Sequence, residues 1–253
     1  MLKTRVIPCM LFNGSFLIKT IQFSKPRTLG NPIQFARVYN NRNVDELIFL
    51  DVAATQENRE PAFDTIFDII KECFMPLTIG GGVRTIDHVD TLFKIGAYKV
   101  AVNTEALRNP KFITEIALKY GSQSIVLAID AKYVNNDYYV FTKRGEKNTE
   151  KKAMDWARAG EKLGAGEIFI NSIDNDGMME GYNLNLIQLI SRGVSVPVIA
   201  CGGAGKVQDI IDAVKIGNAD AVSLASMFHY SGHTVNSIKE RMAKSGIAVR
   251  IIK

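Results

Sequence analysis

The chain has 253 residues, 47% of them hydrophobic and 23% charged, a size at which an α/β barrel still forms one domain and a composition that excludes the disordered and fibrous classes. Its 31 Lys and Arg exceed 26 Asp and Glu for a formal charge of +5, yet the basic residues are scattered, which argues against a nucleic-acid stripe and suits small anionic substrates. The opening MLKTRVIPCMLF lacks an apolar leader core, and no apolar run approaches the roughly 18 residues of a membrane span, so a cytosolic protein without membrane contact is expected.

Arg5-Val-Ile-Pro-Cys9 is the first of eight short, β-branched apolar runs, and a helix-period segment from Ile33 to Asn41 follows it. The alternation continues with strand Glu46–Asp51 and helix Phe63–Cys73, strand Leu77–Gly80 and helix Ile86–Ile95, then strand Lys99–Asn103 and helix Phe112–Tyr120. After strand Ser124–Asp130 comes an insertion in which Asn135-Asn136-Asp137 reads as a turn and Tyr138–Lys143 as a short extra strand. The series resumes with helix Lys151–Leu163, strand Glu167–Asn171, helix Leu184–Arg192, strand Pro197–Cys201, helix Val207–Ile216 and strand Ala221–Ala225. Almost wholly apolar strands alternating with helices predict a parallel sheet covered by helices.

An internal repeat selects closure over an open sheet. Lys94-Ile-Gly-Ala97 recurs as Lys215-Ile-Gly-Asn218, and the same 121-residue offset relates Gly81-Gly82 to Gly202-Gly203 and Glu46-Leu-Ile-Phe49 to Glu167-Ile-Phe-Ile170. Two four-strand halves, about 1–121 and 122–253, predict a single α/β domain, a (βα)8 TIM barrel with a two-fold half-barrel repeat. Loops after barrel strands lie on the catalytic face, so the 135–143 insertion either shapes a substrate site or is a plain hairpin.

Gly80-Gly81-Gly82 follows the third strand and Gly202-Gly203-Ala204-Gly205 the seventh. Without Cβ atoms such loops bring backbone N–H groups close to an anion, and the next helix N-terminus favours it. Asn103-Thr104 after the fourth strand and Ala225-Ser226 after the eighth are their small polar companions. One such loop is as well explained by a tight turn; two at one offset point to a substrate with a phosphate at each end. Cys9, Cys73 and Cys201 sit in apolar surroundings and read as core residues, and His88, His229 and His233 lack the mutual spacing of metal ligands. No metal site or cofactor is expected.

These runs, with Asp45–Asp51, Thr78–Gly82, Ala128–Lys132, Gly164–Glu167, Ser172–Asp174, Asp176-Gly177 and Cys201–Lys206, resemble the cyclase subunit of imidazole glycerol phosphate synthase over essentially the whole chain. The resemblance implies a heterodimer with a glutaminase subunit, whose ammonia crosses the barrel and attacks a bisphosphorylated ribonucleotide at the top. It also implies an ammonia gate made of Arg5, Glu46, Lys99 and Glu167. Read from the residues alone, two cations and two anions at strand beginnings form a compensated inner layer, which a purely structural salt-bridge ring would also satisfy.

The family's chemistry uses aspartates at the ends of the first and fifth strands. Asp130 fills the second position as general acid and base, but the first is Leu11, which cannot transfer a proton. Arg144, Asn171 and Cys201 stand where the family has small hydroxylated residues, and Tyr98 where it has an acidic residue at the glutaminase face. Lys19, in a mobile loop after the first strand, matches a substrate-closing lysine, although an isolated lysine is ordinarily a solvated one. Asp51 ends the second strand, and Asp176-Gly177 reads as a substrate contact or a turn. Leu11 leaves three functions open: a weakened cyclase subunit, a paralogue passing ammonia to a sugar amidotransferase of surface-polysaccharide synthesis, and a non-catalytic activator of the glutaminase.

Overall fold

A computed structural model describes residues 3–42, 44–230 and 232–251. Its strands are β1 (Arg5–Phe12), the hairpin pair β2 (Leu17–Ile21) and β3 (Ser24–Gly30), β4 (Leu47–Asp51), β5 (Leu77–Gly80), β6 (Lys99–Val102) and β7 (Ile125–Val134). A second hairpin pair, β8 (Asp137–Thr142) and β9 (Lys147–Lys152), precedes β10 (Glu167–Ser172), β11 (Val198–Cys201) and β12 (Ala221–Leu224). Parallel pairing runs β1–β4–β5–β6–β7–β10–β11–β12 and returns from β12 to β1, so the eight strands close as a TIM barrel and their edges disappear.

The covering helices are α1 (Pro32–Asn41), α2 (Phe63–Lys71), α3 (Ile86–Ile95), α4 (Thr104–Arg108) and α5 (Lys111–Tyr120), then α6 (Ala153–Leu163), α7 (Leu184–Ser191), α8 (Val207–Lys215), α9 (Ser226–Tyr230) and α10 (Val235–Lys244). Their boundaries follow local chemistry. The Asn31 side chain accepts from the Ile33 N–H just before Pro32 opens α1, and Thr85 caps α3 while left-handed Gly96 ends it. At the repeat of that helix end the left-handed residue is Asn218 rather than Gly217. Among the described residues no helix is long and apolar enough to cross a membrane.

Strand alternation sorts the core into two bodies. Val6 and Met10 of β1 face the helices, whereas Ile7 and Cys9 join Ile48, Val126, Phe169 and Ile199 inside the barrel. This apolar interior plug separates the strand beginnings from the strand ends, which are the two places where polar side chains gather.

Two expectations change. The helix expected from Lys151 starts at Ala153, because Lys147–Lys152 forms β9 against β8; Thr149 Oγ1 donates to the Val140 carbonyl at 2.7 Å and ties the two together. Lys19 lies in no open loop either. It belongs to β2, and residues 17–30 form an antiparallel hairpin whose first strand is buried and whose second is mostly exposed. The expected 135–143 insertion is present as β8, entered through left-handed Asn135 and Asn136.

Candidate functional site

At the strand beginnings, Arg5, Glu46, Lys99 and Glu167 form a closed cycle of alternating charge. Arg5 Nη1 lies 2.7 Å from Glu46 Oε1 and 2.8 Å from Glu167 Oε1. Lys99 Nζ lies 3.3 Å from Glu46 Oε2 and 2.9 Å from Glu167 Oε2. Each charge therefore has two opposite neighbours. Glu46, Lys99 and Glu167 are buried, and ions so placed persist only when paired this completely. Burial works against the Arg5 cation, but Glu167 and Glu46 together hold its pKa above the ordinary arginine value. Tyr98, more than half exposed, places its ring centroid 5.6 Å from Lys99 Nζ.

At the strand ends, Asp130 is held between two amides. Asn103 Nδ2 donates to its Oδ2 at 2.7 Å and Asn171 Nδ2 to its Oδ1 at 3.5 Å. Burial is the dominant influence and lifts the Asp130 carboxyl to about 7; the two amide hydrogen bonds oppose the rise and nearby Asp176 adds to it. A carboxyl with that affinity exchanges protons at neutral pH, as a general acid and base must. Leu11 pairs in register with Ile18 of β2 and Leu50 of β4 and packs on the apolar interior, so its place in the mouth is an apolar wall.

The hairpin brings Lys19 to this mouth. Lys19 Nζ stands 3.6 Å from Asp176 Oδ1, and both residues are buried. Thr20 Oγ1 donates to Asp176 Oδ2 at 2.9 Å, and the Gln22 N–H donates to the Asp176 carbonyl at 2.8 Å. Gly177 has φ +73°, and a Cβ there would lie 2.2 Å from the Thr20 carbonyl oxygen, so only glycine lets the hairpin close on this turn. Lys19, Asp176, Gly177, Gly202, Gly203, Ala225 and Ser226 line one small cavity. Both predicted companions of the second glycine loop thus meet it in space.

The first glycine loop is built differently around its neighbours. Gly81 has φ +95°, and a Cβ there would lie 2.1 Å from the Asp51 carbonyl oxygen; Gly82 is also left-handed. Asp51, expected to face a substrate, has its carboxylate occupied from within. Arg59 grips it with Nη1 at 2.5 Å from Oδ2 and Nη2 at 2.7 Å from Oδ1, and the Ala53 and Ala54 N–H groups donate to Oδ1. Asn103 turns its amide to Asp130, and Thr104 opens α4 directly after it. Arg59 and Thr20 carried no motif in the sequence; each acts by reaching an acidic residue that did.

The β7–β8 hairpin lines an open concavity of its own with Tyr133, Tyr138, Asp174 and Asn183. Cys9, Cys73 and Cys201 are free thiols; Cys9 and Cys201 pack on the barrel interior and Cys73 against the outer core. Burial pushes the Cys201 thiol up to about 12, with Asp176 adding to the rise. Among the described residues no group of three or more His, Cys, Asp or Glu is placed to hold a metal. The side chain of His229 lies outside the described residues.

Residues 5–234 match the family model described as "Histidine biosynthesis protein". The imidazole glycerol phosphate synthase subunit HisF of Pelodictyon phaeoclathratiforme is 43% identical over 251 residues, which cover 99% of this chain and 100% of that protein.

Proposed function

Because this chain belongs to the histidine biosynthesis protein family, we propose that it is the cyclase-type subunit of an imidazole glycerol phosphate synthase. In this reading it receives ammonia from a glutaminase subunit in a heterodimer and uses it on a bisphosphorylated ribonucleotide, forming imidazole glycerol phosphate and an aminoimidazole ribonucleotide. The observation that carries the reading is the closed ring of Arg5, Glu46, Lys99 and Glu167 at one end of an apolar barrel interior, with Asp130 at the other. Neutral ammonia loses far less on entering apolar surroundings than an ammonium ion, which gives up the hydration of a full charge. The ring is the gate, the interior is the conduit, and Asp130 moves protons at the reacting end.

The glycine loops Gly81-Gly82 and Gly202-Gly203, with Thr104, Ala225 and Ser226, hold the two phosphates. Their support is the offset that relates them and the left-handed glycines found in both, in a loop type whose backbone N–H groups bind anions. Asn103 and Asn171 serve the site through Asp130, while Lys19, Asp176 and Gly177 close the wall beside the second phosphate. Asp51 keeps its place through Arg59 and shapes the first loop. The chain is read as one domain of two half-barrels, about 1–121 and 122–253, working in the cytosol without a cofactor.

The test supplies the purified chain with the bisphosphorylated ribonucleotide and 15N-ammonium. Label in the imidazole product supports the proposal, and its absence at saturating ammonium overturns cyclisation. Leu11 favours a second reading, since Asp130 faces no second carboxylate from β1. There the chain passes ammonia to another acceptor, through a sugar amidotransferase of surface-polysaccharide synthesis, or acts only by stimulating the glutaminase. Glutamine hydrolysis by the complex without label in the imidazole product would support that second reading.

A further inference from the structure

The four members of the charge ring are not equally well held. Arg5, Lys99 and Glu167 each open a strand and lie in its ladder, in register with Ala221, Thr78 and Val126. Glu46 precedes β4 and lies outside its ladder. Glu46, beside its partner Arg5, is fixed from elsewhere. The Asp45 carboxylate, next to Glu46, accepts from the Val6 N–H at 3.0 Å, next to Arg5. Its other oxygen accepts from Lys239 Nζ at 2.6 Å. On the far side of Arg5, the Thr4 N–H donates to the Ala248 carbonyl at 2.8 Å, and Thr4 bridges Val249.

Lys239 lies on α10 and is 1% exposed. Burying a lysine with one aspartate is an expensive way to pack a helix, since an apolar pair of similar volume generally stabilises as well. What an apolar pair cannot do is orient a carboxylate toward the Val6 N–H. We propose that Lys239 is a positioning residue for the charge ring: through Asp45 it fixes the backbone between Arg5 and Glu46, and so holds the ring closed. The functional part of this inference rests on the ammonia reading above; the positional part does not.

The test is Lys239→Met in the complex with the glutaminase subunit, comparing turnover driven by glutamine with turnover driven by ammonium chloride. Ammonium from solution supplies the mouth without passing the ring. The expected result is a fall of about tenfold in glutamine-driven turnover, with saturating ammonium-driven turnover unchanged and excess ammonia released per product. A loss shared equally by both nitrogen sources, or by neither, overturns the proposal. If Lys239→Met does not fold, the double variant Asp45→Asn/Lys239→Met, which leaves no unpaired buried charge, is read the same way. A second readout needs no turnover: in 15N-arginine-labelled chain, Arg5 Nε–H exchange accelerates in the variant. Wild-type complex that transfers nitrogen from neither source would defeat the ammonia reading alone, and unchanged Arg5 exchange would defeat the positioning.

Discussion

Replacing Asp130 by asparagine should stabilise the fold at alkaline pH and do much less at acid pH. The carboxyl has an ordinary value of 3.8 and is lifted to about 7, chiefly by burial. Between those values the unfolded chain has released the proton that the folded chain keeps, so stability falls as pH rises through this window. Integrated from about pH 5 to about pH 8, the difference amounts to one proton held across nearly two pH units, or about 2.5 kcal/mol at roughly 1.36 kcal/mol each. The asparagine variant carries no such dependence. It also forfeits part of the hydrogen bonding from Asn103 and Asn171; the part of that loss that depends on protonation is already contained in the value of about 7, and the rest is common to both pH values and cancels in the comparison. Urea unfolding of wild type and Asp130→Asn at the two pH values measures the quantity directly. The variant should gain about 2.5 kcal/mol relative to wild type on going from the lower to the higher pH; an unchanged difference would refute the claim that burial governs this carboxyl.

Three further outcomes follow from the same geometry. Lys99→Met leaves Glu46 and Glu167 with Arg5 alone and should cost about 3–5 kcal/mol in urea unfolding, while apolar replacement of all four ring residues should recover most of that loss. Gly177→Ala forces a Cβ against the Thr20 carbonyl at φ +73°; it should cost at least about 1–3 kcal/mol and expose residues 17–30 to limited proteolysis. Leu11→Asp supplies the missing second carboxylate and should raise the ammonium-driven rate of imidazole formation by about 10²- to 10⁴-fold; no gain would place the deficit in the other mouth substitutions.

The barrel was legible because each of its strands is a nearly continuous apolar run bounded by turn residues, and because the repeat demanded closure. The hairpin after β1 was not. Its turn residues Gln22 and Phe23 adopt left-handed conformations without the glycine or asparagine that marks such turns, and β3 is exposed and carries Pro26, as an edge strand can. Hidden with it was the burial of Lys19, which a pattern of single residues represents as solvated. β9 escaped for a related reason: Lys147–Lys152 is mostly exposed and polar, so no apolar alternation announces it. The ring residues were legible as strand beginnings of opposite sign. A ring of them was expected too, but not which oxygen meets which cation, because that depends on four side chains converging across the barrel axis.

Asp130 and Leu11 together constrain the chemistry more than either does alone. Had β1 ended in a second inward carboxylate, like-charge repulsion would contribute to holding a proton on one of the pair. Here the neighbouring carboxylate that acts on Asp130 is Asp176, which Lys19 and Thr20 already engage. The proton affinity of Asp130 is therefore a property of its burial and survives without a partner. One group titrating near neutrality can take a proton from an attacking nitrogen and return it to a leaving group on the same face. It cannot act simultaneously from the opposite face, where Leu11 presents hydrocarbon. A reaction in which both transfers occur on the Asp130 side suits this mouth as it stands, whereas one needing opposed acid and base must draw its second proton carrier from the substrate, water or the Lys19–Asp176 pair.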